Sequence, residues 1–122
     1  MARVETFRDL DVWREGIGLV KRTYQLCKTL PPDERFALTN QMQRAAISIP
    51  ANIAEGWARD TTKEYLRFLA IARGSLAELE TFFVLCVELE YVGAGKLSVL
   101  QEDATVLGKK LNALQTALRK RI

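Results

Sequence analysis

Residues 41–57 read QMQRAAISIPANIAEGW, and the fold turns on how this stretch is read. Met42, Ala46, Ile49 and Ile53 recur at steps of three and four, which is one apolar side of a helix. Arg44, Ser48, Asn52 and Glu55 lie among them, and Pro50 sits in the interior. A proline there lacks an amide hydrogen and its ring meets the carbonyl of Ala46, so a kink or local unwinding is expected. Asn52, close by, can satisfy backbone groups that Pro50 frees. Arg44 and Glu55 read as an internal or intersubunit polar pair that holds register. Gly56 fits a left-handed C-terminal cap. Ser48, Pro50, Asn52, Glu55 and Gly56 are thus expected to form a structural motif rather than a ligand site.

The segments on either side are plainer amphipathic helices. Upstream, residues 1–8 form an extended lead-in with Phe7 against the bundle, and Asp9 or Asp11 caps a first helix. Leu10, Trp13, Ile17, Val20, Tyr24 and Cys27 make its heptad seam. Leu19, Leu26 and Leu30 lie outside that seam as surplus apolar surface. Gly16 and Gly18 each weaken a helix by about 1 kcal/mol, which points to a close helix crossing. Pro31 and Pro32 end this helix. Asp33 is the expected cap of the second helix, which also buries Phe36 and Thr39 and runs to about Glu55.

Downstream, Thr61 and Glu64 have the spacing of a capping box and start a third helix. Tyr65, Phe68, Ala72, Ser75, Leu79, Phe82, Cys86 and Leu89 form one stripe. Leu66, Leu69, Leu76, Phe83 and Val87 form a second beside it. So wide an apolar arc suits a helix buried on two sides. Gly93 and Gly95 mark a turn. Leu97, Leu100, Ala104, Leu107, Leu111, Leu114, Leu118 and Ile122 then define a fourth helix. Short connections favour antiparallel neighbours. The expected architecture is all-α: one domain over residues 1–122, an antiparallel up-down-up-down four-helix bundle.

Composition agrees with a globular chain. It has 122 residues, 48% hydrophobic and 27% charged, with 18 Lys plus Arg against 15 Asp plus Glu, a net charge of +3. Cys27 and Cys86 fall in apolar helical positions and read as buried free thiols. No stretch has signal-peptide or membrane-span character, so no membrane association and a cytoplasmic location are expected.

The chain contains no histidine. That removes the commonest general base and metal ligand, and every triad that needs imidazole. No Gly-rich phosphate loop is present. Glu78 with Glu80, and Glu88 with Glu90, are two apart and point to different helix faces, so neither pair converges. The expectation is no enzyme, no catalytic residue, no metal and no cofactor.

Charge is segregated along the chain. Residues 78–95 hold four acids and no base. Arg59, Lys63 and Arg67 are spaced four apart and would form one basic stripe on the third helix, with Arg73 further along. Lys109, Lys110, Arg119, Lys120 and Arg121 crowd the C-terminal segment. Together with Arg44 these are the candidate phosphate contacts for salt-dependent, sequence-tolerant binding of RNA or DNA. Exposed aromatic stacking partners are few, which argues against a base-reading platform. Trp57 is the exception.

QRAAISIPANIAEGWAR, followed by KEYLRFLAIARGSLAELET, with FRDLDVW before them, resembles the four-helix-bundle family of 23S rRNA intervening-sequence proteins, once labelled ribosomal protein S23. The resemblance covers roughly residues 7–92. A related branch is the accessory protein of diversity-generating retroelements, a basic homopentamer that works with a reverse transcriptase and nucleic acid. The resemblance therefore implies a ring-shaped homo-oligomer, a pentamer, without catalytic activity. Two departures stand out: Gln43 and Arg44 replace a pair of basic residues, and Ala58 stands where glycine is common. A protein-binding adaptor with no nucleic-acid role is the alternative function.

Overall fold

A computed structural model describes residues 3–122 and contains four long helices: α1 Asp11–Cys27, α2 Leu38–Trp57, α3 Thr62–Glu88 and α4 Ala94–Arg119. Short 3-10 turns at Phe7–Asp9 and Pro32–Glu34 precede α1 and α2. No strand occurs among the described residues. Each helix packs on its sequence neighbours, and α1 closes the ring against α4.

Cross-helix pairs fix the directions. Met42 meets Cys86, and Ser48 meets Ser75, so α2 and α3 run antiparallel. Arg73 reaches Gln115, which sets α4 against α3. Arg22 pairs with Asp103, and Lys110 with Asp11, which sets α4 against α1. The all-α, up-down-up-down bundle is the architecture expected from helix spacing and short links.

The core is continuous along the bundle axis. Leu19, Met42, Ile49, Ile53, Leu69, Leu79, Phe83, Leu97, Leu107 and Leu111 are its fully buried large side chains. Cys27 and Cys86 are buried free thiols, as anticipated. Burial pushes the Cys27 thiol up to about 11, with the neighbouring Cys86 adding to it, and burial raises Cys86 as well.

The phase of α1 differs from the expected seam. Its buried residues are Val12, Gly16, Leu19, Thr23, Leu26 and Cys27, and only Cys27 belongs to the expected seam. Trp13, Ile17 and Val20 flank them half-buried, and Tyr24 is exposed. The reason is the approach of α1 to α2. A Cβ on Gly16 would lie 3.3 Å from the Pro50 Cβ, so the glycine must face α2 and rotates the helix accordingly. Leu19, Leu26 and Leu30 are therefore core residues and not surplus surface. Pro50 itself is buried, and α2 continues through it, so the local unwinding expected there does not occur.

Other boundaries also shift. Thr6 and Asp9 form a reciprocal capping box on the first 3-10 turn, while α1 starts after Leu10 without a side-chain cap. Backbone amides of Glu5 and Thr6 donate to the Asp9 carboxylate and hold it below the usual range. Asp33 lies inside the second 3-10 turn, and Glu34 instead accepts from the Leu38 amide. Phe36 is 86% exposed in that loop and contributes nothing to the core. On α3 the core follows the line between the two expected stripes. Leu69, Leu76 and Phe83 are buried, whereas Leu89 lies exposed past the helix end. Thr61 does cap α3 by accepting from the Glu64 amide, but the Glu64 side chain turns to Arg67 instead of closing the box.

Candidate functional site

The four-helix ring has two ends. One gathers the first 3-10 turn, the start of α1, the end of α2, the start of α3 and the end of α4. Phe7 seals it, edge-on to Trp13 at 5.3 Å and to Trp57 at 6.5 Å between ring centroids. This end collects most of the sequence-predicted basic residues.

Gly56 sets its geometry. It is not a left-handed cap: no glycine among the described residues has positive φ, and α2 runs on to Trp57. Its role is space. A Cβ there would meet the Phe68 Cβ at 2.8 Å and Tyr65 Cδ1 at 3.1 Å. The bare backbone lets α2 cross α3 at their junction, which brings Arg59 and Arg67 over the same ring. Both guanidinium carbons lie 4.6 Å from the Phe68 centroid. Arg59 sits in the connection before α3, not on the helix, and pairs with Glu55. Arg67 pairs with Glu64 at 2.9 Å, and that hydrogen bond lowers the Glu64 carboxyl. These pairs fix the two arginines in place and neutralise part of their charge.

The remaining candidates sort by partner. Arg73 donates to the Gln115 carbonyl at 3.1 Å, satisfying a buried amide across α3 and α4. Lys110 holds Asp11 at 2.7 Å and Glu15 at 3.0 Å, and these bonds raise its ammonium. Both serve helix docking. Lys63, Arg119, Lys120 and Arg121 are exposed at this end and form no ion pair among the described residues. Arg44 and Lys109 are also exposed but lie along the bundle's sides. Arg44 and Glu55, expected to pair, do not meet: both face solvent and Glu55 takes Arg59.

Within the α2 motif, Ser48 and Asn52 do have structural partners. The Asn52 amide donates to the Ser48 carbonyl at 2.8 Å and to its hydroxyl at 2.9 Å. The Ser75 hydroxyl of α3 donates to the Ser48 hydroxyl at 2.8 Å. Ser75, read from sequence as part of an apolar stripe, is thus the cross-helix member of a polar cluster.

Beside the junction lies a recess of about 310 Å³ lined by Leu10, Trp57, Tyr65, Leu114, Leu118 and Arg121, with Val4 at its edge. Burial pushes the Tyr65 phenol up to about 12, against the opposing charge of Arg121. Periodicity could not reveal this recess, because its walls come from the lead-in and three helix ends. No group of acids and cysteines suited to a metal ion occurs among the described residues, and no described helix is long and apolar enough to cross a membrane.

The family model for the 23S rRNA-intervening sequence protein matches residues 8–113, which cover α1 to α3 and most of α4. The chain belongs to that family. A crystal structure of an S23 ribosomal protein family member of unknown function from Bacteroides thetaiotaomicron VPI-5482 is similar. It superposes with a TM-score of 0.79 at 25% identity, covering 85% of this chain and 97% of the other. No curated protein matches the chain. The intervening-sequence family match takes in the α2 motif, the junction around Gly56 and the α3 stripe, and stops before the Arg119–Arg121 cluster.

Proposed function

We propose that this intervening-sequence family protein is a non-enzymatic scaffold that self-associates and contacts RNA or DNA through the basic end of its bundle. The carrying observation is the set of unpaired cations there. Lys63, Arg119, Lys120 and Arg121 have no carboxylate partner among the described residues, whereas Asp11, Glu15, Glu55 and Glu64 are each already paired. Exposed, unneutralised cations displace counterions from phosphate and bind without reading sequence. A net charge of +3 per chain is modest. Repeated around an oligomer it multiplies through avidity.

Self-association is supported by apolar side chains left outside the core. Ile71, Leu85 and Leu89 are exposed along one side of α3, with Glu78 between them. Apolar side chains left exposed on one helix face suit contact with another protein. A homopentameric ring, and work alongside a reverse transcriptase as in diversity-generating retroelements, are the finer forms of this proposal. A cytoplasmic location goes with it. The second reading, a protein-binding adaptor, rests on the same α3 stripe, with another polypeptide covering it.

Two measurements separate them. Light scattering at micromolar concentration should give a multiple of the 13.8 kDa chain mass. Structured RNA, single-stranded DNA and duplex DNA should bind at low salt, and Lys63→Glu with Lys120→Glu should weaken all three. Binding of none of them, with an oligomer still formed, would leave the adaptor in front.

A further inference from the structure

The recess beside the basic end has features that phosphate attraction alone does not use. Two aromatic rings, Trp57 and Tyr65, line it with Leu10, Leu114, Leu118 and the cation Arg121. At about 310 Å³ it falls at the small end of the range that holds organic ligands. The Trp57 indole N–H and the Tyr65 hydroxyl have no protein partner among the described residues and are open to solvent. The only tyrosine hydroxyl bonded among the described residues is that of Tyr91, on Glu34 at the far end of the bundle. The recess therefore offers two aromatic rings, two free polar handles and an adjoining cation.

The rim decides the class of occupant. Arg119, Lys120 and Arg121 follow one another where α4 ends. Nearby carboxylates are largely engaged: Asp9 in its cap, Asp11 on Lys110, Glu55 on Arg59 and Glu64 on Arg67. Glu5 and Asp60 are the acids left over at this end. The complement to such a site is a flat ring with hydrogen-bonding edges, tethered to an anion. We propose that the recess takes one unpaired nucleobase of a single-stranded or bulged nucleic acid, against Trp57 and Tyr65, with the adjoining phosphate on Arg121. This rests on the nucleic-acid reading above and narrows it from any phosphate backbone to strands with an unstacked base. The base would enter by its ring and not by a sequence code, so RNA and DNA with the same bulge share the chemistry.

The test uses fluorescence anisotropy of the full-length protein with three RNA probes: a short duplex, the same duplex with a single bulged nucleotide, and its single strand. DNA versions of each tell the two sugars apart. The bulged and single-stranded probes should bind about tenfold tighter than the duplex, as expected for one base–aromatic stack. Tyr65→Leu should abolish that preference and leave duplex affinity unchanged, while Tyr65→Phe should keep it. Leu114→Phe fills the recess without removing a stacking ring, so it reads the site even if Tyr65→Leu folds poorly. A 2-aminopurine placed at the bulge should be quenched by the wild type and not by Leu114→Phe. Equal binding of bulged and perfect duplex, or a preference that survives Leu114→Phe, would overturn the pocket while leaving the basic-surface reading intact. Displacement of the bulged probe by decanoate but not by a mononucleotide would also overturn it, in favour of an aliphatic acid. Failure of every probe to bind at low salt would defeat the nucleic-acid reading and the pocket together.

Discussion

Gly56 and Phe68 lie so close that a Cβ on the glycine would sit 2.8 Å from the Cβ of the phenylalanine. The contact joins the last turn of α2 to the first turns of α3 and sets the ring on which Arg59 and Arg67 stack. Gly56→Ala sets two effects against each other. Helix propensity favours alanine by about 1 kcal/mol. Overpacking a close helix contact costs about 1–3 kcal/mol. Because the clash is with Cβ and backbone atoms, which cannot swing away, the overpacking term should win. Urea denaturation should show a net loss of about 1 kcal/mol or more. An unchanged or raised midpoint would mean that α2 and α3 can separate freely.

The turn after α3 carries its strain at a non-glycine residue. Glu90 has φ of 63°, while the glycines that follow do not have positive φ. Amides of Tyr91 and Val92 both donate to the Cys86 carbonyl and close the turn. Left-handed backbone disfavours a residue with a Cβ by roughly 1–2 kcal/mol. Glu90→Gly should therefore raise stability by about 1 kcal/mol, seen as a higher denaturation midpoint with the slope unchanged. Loss of stability would show that the Glu90 side chain itself contributes.

Ser48, Asn52 and Ser75 should behave as one unit. Ser75→Ala removes the donor to Ser48, and Asn52→Ala removes the amide that holds the Ser48 carbonyl and hydroxyl. Each should lower stability by about 1 kcal/mol. In a double-mutant cycle the two should couple by about 0.5 kcal/mol or more, since they share Ser48. Strict additivity would mean that the cluster is only a set of neighbours.

Thiol ionisation sets an alkaline limit. The Cys27 thiol is pushed up to about 11 from an ordinary 9.0, chiefly by burial. A group whose folded pKa is raised contributes stability that is fully present below the unfolded value and is lost as pH rises through the folded one. Stability should thus fall from about pH 9 to pH 11. Cys27→Ala should flatten that portion of the curve, even though the variant is weaker at neutral pH. Thermal melts across this range give the answer, and a curve with the same slope in the variant would assign the loss elsewhere. In the native state both thiols should react slowly with an aromatic disulfide reagent and rapidly once unfolded.

Much of the bundle is legible in the chain because helix periodicity is local. The stripe from Leu97 to Leu118, the cap at Thr61 and the two buried cysteines follow from spacing and residue type. The phase of α1 is not local. It depends on Gly16 meeting Pro50 of another helix, so a seam read from the largest side chains, Trp13 and Tyr24, falls to one side. Gly56 invites the same error, since a helix-end glycine usually signals a left-handed cap, and only the presence of Phe68 shows that space is the need. The candidate site was legible as charge but not as pairing. Lys110 finds Asp11 at a separation of 99 residues and Arg73 finds Gln115 at 42. No spacing rule reaches that far, so sequence counts as free two cations that the fold engages.

The most direct measurement for the basic end is the salt dependence of RNA binding, for wild type and for a variant with Arg119, Lys120 and Arg121 all changed to Glu. Counterion release makes the logarithm of the binding constant fall linearly with the logarithm of salt, by roughly 0.7–0.9 per phosphate neutralised. The expected result is a steep wild-type slope and a much shallower one for the variant, with helicity and oligomeric mass unchanged. A flat wild-type slope, or an equally steep slope in the folded variant, would contradict a nucleic-acid interface at this end of the bundle.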